Sequence, residues 1–406
     1  MDNELKITNI DIKKNKIEIE YLIKGNWSNV FESKNNFFVE YSHDISNIDK
    51  SIAVIPFLCN ILPISWLFDA EIIVDSIDKD FMECIENVKK GYKDMYPMLS
   101  FKGKFTYSNV KENKKSNKGG NLAFFSGGVD AFNTLVSHMQ ERPTLFVVWG
   151  ADIDIDESTG WNNMNKSTEK TVNEFNLDYI IAKSSLRKFI NSNVLCEKVK
   201  ISGDDWWHGF QHGLGMIGLV APIAFKYDKE NIYFASSFTA EDKGKYTCAS
   251  DPTIDNFIKF CKCNVIHDGY EFCRQDKVHN IIQFCQKTNK KIELRVCWES
   301  TGGKNCCQCE KCYRTMLAIF AEGENPRKYG FDYNRKQLKK IKYCQNDKFN
   351  YKRYIKIQSR MREKCNLNDI PKEIQWFYKI DISKLGYHPI YTFLRKVKNK
   401  IKRILK

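Results

Sequence analysis

Apolar and polar residues change rhythm near residue 121, and the two rhythms predict different structure. Before that point, residues 12–23 (IKKNKIEIEYLI) and 35–42 (NNFFVEYS) alternate apolar with polar side chains and are rich in β-branched and aromatic residues, as strands with one buried face are. Met82, Ile85, Val88 and Met95 recur near the helical period and predict a helix over residues 81–95. The most apolar run, residues 52–68, holds Pro56, Asn60, Pro63 and Ser65 and is short for a membrane span, so it predicts core. Residues 108–121 are polar, charged and end in glycines. They predict a linker that closes a first α+β domain over residues 1–115.

From Asn121 onward, short apolar runs alternate with helical stretches. The runs are residues 122–125 (LAFF), 144–150 (TLFVVWG), 179–182, 232–237 and 292–298 (IELRVCW). The helical stretches are residues 129–140, 168–175, 206–227 and 275–287. That alternation predicts βαβ units, hence an α/β domain over residues 120–324 with a parallel sheet covered by helices on both faces. Residues 325–406 form a third, Lys-, Tyr- and Asn-rich region. Near its end Ile390, Phe393, Leu394, Val397, Ile401, Ile404 and Leu405 share one helical face, with lysines and arginines filling the other.

Charge sharpens this division. The chain has 406 residues, 42% hydrophobic and 28% charged, with a net charge of +14, an ordinary globular composition. Residues 325–406 hold 24 Lys+Arg against 6 Asp+Glu, which leaves 40 against 44 for residues 1–324. A uniformly basic nucleic-acid-binding body is excluded. The basic amphipathic tail could meet an anionic membrane surface, RNA or an acidic partner, or pack on the mildly acidic body. The polar N-terminus lacks a signal-peptide pattern, so a cytoplasmic location is expected, with peripheral contact at the inner membrane surface open to the tail.

Two motifs carry candidate chemistry. The first, AFFSGGVDAFNTL (residues 123–135), is an apolar strand, two glycines and a helix. Backbone N–H groups in the turn and the positive end of the helix make a phosphate site. It lacks the Gly-Lys-Ser/Thr of a Walker A loop and the third glycine of a dinucleotide fingerprint. The second is CWESTGGKNCCQCEKC, where Cys297, Cys306, Cys309 and Cys312 place four thiols within sixteen residues. Such spacing suits tetrahedral Zn²⁺, and a closed four-Cys set is structural because no position stays open for water. Cys307 could replace Cys306 as ligand, and free thiols, a redox pair or an iron–sulfur cluster are the other readings. Cys261 and Cys263 are expected as core thiols on a strand.

The SGGVD loop resembles the SGGxDS loop of the ATP pyrophosphatase (PP-loop) enzymes. With the cysteine cluster about 165 residues later, residues 122–322 resemble 7-cyano-7-deazaguanine synthases of queuosine biosynthesis in particular. The resemblance implies a Rossmann-like fold, and ATP held by Phe125, Ser126, Gly127, Gly128, Val129, Asp130 and Ala131. Ser126 and Asp130 would be catalytic, Asp130 placing the phosphates or Mg²⁺. Ala131 departs from the family's second serine, which removes one side-chain contact. The implied reaction activates a carboxylate or amide oxygen as an adenylate, with pyrophosphate release. RNA thiolation with Cys307 as sulfur carrier, or a non-catalytic nucleotide-binding or peripheral membrane component of a surface-polysaccharide locus, are the alternatives.

Weaker candidates complete the picture. His208 and His212, four apart on an apolar helix, could touch substrate, as could Asp242 and Asp251 in a segment resembling the family's substrate loop. Asp152, Asp154 and Asp156 follow a strand and could face the ligand crevice. Arg314 could meet a phosphate or lie on the surface.

Overall fold

A computed structural model of the chain describes residues 2–32, 36–116, 118–297, 299, 303–341 and 352–382. The predicted basic helix over residues 387–406 lies outside the described residues.

Eleven strands form one mostly parallel sheet: β1 (Glu4–Ile12), β2 (Lys16–Lys24), β3 (Phe37–Tyr41), β4 (Glu71–Asp78), β5 (Lys104–Lys111), β6 (Leu122–Phe124), β7 (Thr144–Trp149), β8 (Tyr179–Ser184), β9 (Asn231–Ala235), β10 (Lys259–Phe260) and β11 (Cys263–Asp268). Their order is β10-β11-β9-β6-β7-β8-β3-β2-β1-β4-β5. Helices flank the sheet, so the α/β expectation holds.

The expected boundary near residues 108–121 does not divide the sheet. β3 pairs antiparallel with β8 through Val39–Ser184 and Tyr41–Ala182, so the N-terminal strands extend the same sheet. The first four residues of the expected linker, 108–111, are themselves strand, because β5 runs parallel to β4 with register Glu71–Lys104 to Asp78–Lys111. Its exposed side chains are those of an edge strand. At the other end, the run expected as one strand over residues 12–23 holds a hairpin turn. Lys13 N–H donates to the Lys16 carbonyl at 2.8 Å, and β1, with Leu5 and Ile10 buried, precedes it.

The chain forms two compact units. The first comprises residues 1–126, 130–161 and 175–273 and holds the whole sheet. Its helices are α1 (Lys50–Ala53), α2 (Ile55–Phe68), α3 (Lys79–Met95), most of α4 (Val129–Ser137), α6 (Ser192–Val199), α7 (His212–Gly218), α8 (Ala221–Lys226) and α9 (Pro252–Asp255); α5 (Ser158–Phe175) falls largely to the second unit. The apolar run expected as core is α2, buried almost throughout. Asn60 within it is satisfied: its amide donates to the Pro56 and Gly215 carbonyls and accepts from Gln211. Among the described residues, no helix is long and apolar enough to cross a membrane.

The second unit comprises residues 127–129, 162–174 and 274–406. It packs α10 (Arg274–Thr288), α11 (Glu310–Ala321), α12 (Arg335–Lys340), α13 (Lys352–Lys364) and α14 (Gln375–Lys379). Its polar anchor is Glu322, whose buried carboxylate accepts from Gln275 at 2.8 Å and Lys364 at 2.6 Å and meets His279 at 2.9 Å. Residues 292–297, the described part of the strand expected over 292–298, are not a strand. The Leu294 N–H donates to the Tyr329 carbonyl, Arg295 to Gly127 and Val296 to the Asn305 side chain, so the extended backbone is satisfied by loops rather than by a ladder.

Candidate functional site

The parallel heart of the sheet sets the site. From β6 the chain builds outward to β7 and then β8, and returns to the other side of β6 with β9 and then β11, all parallel. The strand order therefore reverses between β6 and β9. In open α/β sheets, ligands bind outside the carboxyl ends of the strands at such a reversal. The glycine turn leaves β6 at that place.

β6 ends at Phe124, and Phe125 N–H donates to the Phe146 carbonyl of β7 at 2.9 Å. The Phe125 ring packs edge-on against Phe132 of α4, centroids 4.9 Å apart. Ser126 is exposed, while Gly127, Val129 and Ala131 are buried, so the turn presents Ser126 outward and seats α4 by its apolar side. Gly127 has φ +73°, a left-handed conformation that glycine adopts without strain. Its carbonyl accepts from Arg295 N–H at 2.7 Å. Asp130 lies in the first turn of α4, half-buried. The far end of α4 is fastened by Thr134, which donates to Asp268 at 2.6 Å, and by His138, whose ring nitrogens meet Asp268 at 2.8 Å and Glu141 at 3.0 Å. The Asp268 hydrogen bond, opposed by burial and aided by Glu141, raises the His138 imidazole to about 9.

The four expected cysteines converge. The sulfurs of Cys297, Cys306, Cys309 and Cys312 all lie within 4.8 Å of one another. Cys297–Cys309 is 3.8 Å and Cys306–Cys312 is 4.0 Å. A tetrahedron of thiolates about 2.3 Å from Zn²⁺ has edges of about 3.8 Å, so the set fits that ion. Backbone donors already face the sulfurs: Gln308 and Cys309 N–H toward Cys306, and Cys312 N–H toward Cys309, which caps α11. The Cys312 thiol, opposed by burial and aided by the Cys312 N–H, draws the Cys309 thiol below its ordinary value. A Zn²⁺ ion here would be held by four thiolates and would fasten residues 297–312. Cys307 is outside the set. Its sulfur turns toward the Asn305 carbonyl, and burial pushes its thiol up to about 12.

His208 and His212 do meet on one side, by an unexpected route. The helix expected over residues 206–227 opens with a π-turn, Trp207–Gln211, in which His212 N–H reaches back to the Trp207 carbonyl. It then breaks between α7 and α8, ahead of Pro222. Thr247 donates to Asp204 and Ala249 N–H to the His208 carbonyl at 2.8 Å, which sets Cys248, between them, beside the two imidazoles. Burial works to raise that thiol, but His208 and then His212 outweigh it and bring it down to about 7. Nδ1 of His208 is held by Asp204 at 2.8 Å, and that carboxylate also accepts from Tyr96 at 2.8 Å and from Thr247. Asp204 and Cys248 together raise the His208 imidazole to about 10. A Cβ on Gly213 would come within 2.2 Å of the Ala249 carbonyl, so the glycine is what lets the Cys248 loop lie against α7. Neither Asp204 nor Cys248 carries a recognisable pattern in the sequence; the paired histidines were the available signal.

The remaining candidates have structural partners. Asp242 closes a capping box with Thr239, and Asp251 caps α9 through Thr253. Asp154 and Asp156 hold Lys188 at 2.8 and 2.9 Å. Arg314 is buried rather than on the surface, 3.6 Å from Glu310, and burial pulls its guanidinium down to about 10. Cys261 lies in the β10–β11 turn at φ +41°, not on a strand, and Cys263 opens β11; both are buried as expected.

Comparison of the chain with protein-family models, with curated proteins and with solved structures finds no match.

Proposed function

We propose that the chain is an ATP-dependent, adenylate-forming enzyme that activates a carboxylate or amide oxygen with release of pyrophosphate, as the PP-loop resemblance implies. The observation that carries the reading is the glycine turn and the α4 N-terminus at the reversal of a parallel sheet. Backbone N–H groups of residues 126–129 and the helix dipole would cradle the phosphates, and Ser126 adds a hydroxyl donor. Asp130 would position the phosphates or a Mg²⁺ ion, which neutralises the leaving pyrophosphate. Catalysis is then placement of the attacking oxygen against the α-phosphate and stabilisation of its charge. Ala131 is buried against the body, so the cradle rests on backbone and Ser126. The four-Cys set would be structural, bracing the Arg295 N–H that holds the turn at Gly127.

ATP binding and carboxylate-dependent pyrophosphate release test this, with the deazaguanine acid among the acids offered. Wild type is expected to bind ATP, and Gly127→Ala to weaken binding about tenfold or more, since an alanine resists that backbone conformation. A chain that neither binds ATP nor releases pyrophosphate with any acid overturns the reading. Sulfur transfer to RNA through Cys307 would need access to a thiol that is buried here and that burial pushes up to about 12.

A further inference from the structure

The Cys248 cluster lies at the same end of the sheet as the glycine turn. His212 packs edge-on against Phe234 of β9, centroids 5.8 Å apart, and Phe234 packs against Phe124 of β6 at 4.8 Å. His212 is thus at the carboxyl ends of β6 and β9, where the strand order reverses, and the Cys248 loop lies against its neighbour Gly213 through Ala249. Its position is fixed on each side. Ala249 N–H donates to the His208 carbonyl at 2.8 Å, and Asp204, tied to Tyr96 and Thr247, fixes the His208 ring at 2.8 Å. Cys248 itself is nearly buried, whereas the His208 side chain is 44% exposed, so the pair opens to solvent along the imidazole. Thr247 and Ala249, the two neighbours of Cys248, are thus tied to Asp204 and to His208, and a thiol set beside an imidazole that a carboxylate orients is the arrangement of an activated nucleophile. A core thiol needs none of these partners, and Cys59, Cys84 and Cys285, which lack them, are all pushed up by burial.

We propose that Cys248 is an acyl acceptor: the activated carboxylate passes to its sulfur as a thioester before an amine takes it. This rests on the adenylate-forming reading. In the first step the Cys248 thiolate, its proton already on His208, attacks the acyl carbon of the adenylate. A C–S bond forms, the C–O bond to AMP breaks, and AMP leaves with the electron pair as the phosphate anion. In the second step an amine attacks the thioester. A C–N bond forms, the C–S bond breaks, sulfur leaves as the thiolate paired with the His208 imidazolium, and the proton lost from nitrogen passes to water. His208 holds the thiolate in place, and Asp204 is a positioning residue acting through His208.

The test uses the full chain and p-nitrophenyl acetate, an activated acyl donor that needs no ATP, with the modified cysteine located by peptide mass. One acetyl group, released by hydroxylamine, is expected on Cys248 at neutral pH, at least about tenfold faster than on any other cysteine. Cys263, also buried and 2.7 Å from the Lys115 amine, is the internal comparison. Asp204→Asn should move the pH midpoint of Cys248 acetylation upward, because His208 then holds its proton less firmly. The groups that bear on that titration are His208, His212, Asp204, Tyr96, Tyr92, Asp255 and Asp152. A merely structural Asp204 would leave the midpoint in place. Acetylation spread evenly over cysteines, or an unmoved midpoint, overturns the proposal, whatever the ATP experiment gives. Acetylation at Cys248 in a chain that binds no ATP keeps the nucleophile and removes the adenylate as its donor. Cys248→Ser that still forms amide from ATP and acid at the wild-type rate overturns the thioester step alone and leaves the adenylate reading standing.

Discussion

His138 shows how one side chain ties the candidate phosphate turn to the sheet. It sits at the end of α4, stacked 3.8 Å from the Tyr233 ring and gripped by Asp268 and Glu141. Its folded value of about 9 lies above the ordinary 6.5. A raised imidazole stabilises the fold while the unfolded chain would also be protonated, so its contribution is complete below about 6.5 and is lost as pH rises through about 9. His138→Gln should therefore lower the Tm by a few degrees at pH 6, and the gap should close by pH 9.5. A gap that stays constant across that range, read by thermal unfolding of both proteins, rejects the linkage. At this scale the sequence was partly legible. Glycines, cysteines at metal spacing and paired histidines have positional signatures, whereas Cys248 and Asp268, and Asp204 for its Tyr96 and Thr247 bonds, acquire partners only when segments far apart in the chain meet.

At the scale of elements, periodicity found the strands buried on both faces and the amphipathic helix α3, whose Asp78 cap accepts from Phe81 N–H. It missed β1, β4 and β5; β5, an exposed edge strand, has no buried face for periodicity to report. It misread residues 292–298 for a related reason: apolar alternation reports burial, and loops can bury a segment as well as a sheet can. The cysteine loop was the most legible element, since ligand spacing is local. Zinc analysis is expected to give roughly one ion per chain. Cys309→Ser should lose it together with several kcal/mol of stability, because both a ligand and the cap of α11 go. Cys307→Ser should keep the zinc. Equal zinc loss in both variants would move Cys307 into the ligand set.

Over the whole molecule, the first 115 residues belong to the sheet that carries the candidate site, through the β3–β8 pairing. No sequence pattern announces a pairing between strands some 140 residues apart, which is why a separate domain was the natural expectation. Charge, by contrast, is additive along the chain and needs no fold to be read. Residues 1–324 hold 40 basic against 44 acidic side chains, so a polyanion meets little net attraction there, while residues 325–406 hold 24 against 6. Within that region, residues 383–406 concentrate basic side chains without a single Asp or Glu. Counterion release then predicts where polyanion affinity resides. The full chain should bind phosphatidylserine vesicles and single-stranded RNA with an affinity that falls steeply with salt, and a chain ending at residue 382, which loses 8 of the region's 24 basic side chains and keeps 16, should bind both more weakly and with a shallower salt dependence. The two ligands separate by detergent-free competition: an amphipathic helix at a lipid surface keeps an apolar contribution at high salt, whereas binding to RNA phosphates alone vanishes. If truncation leaves both affinities and their salt dependence unchanged, the basic excess of the tail serves neither ligand, and docking on the acidic body is what remains.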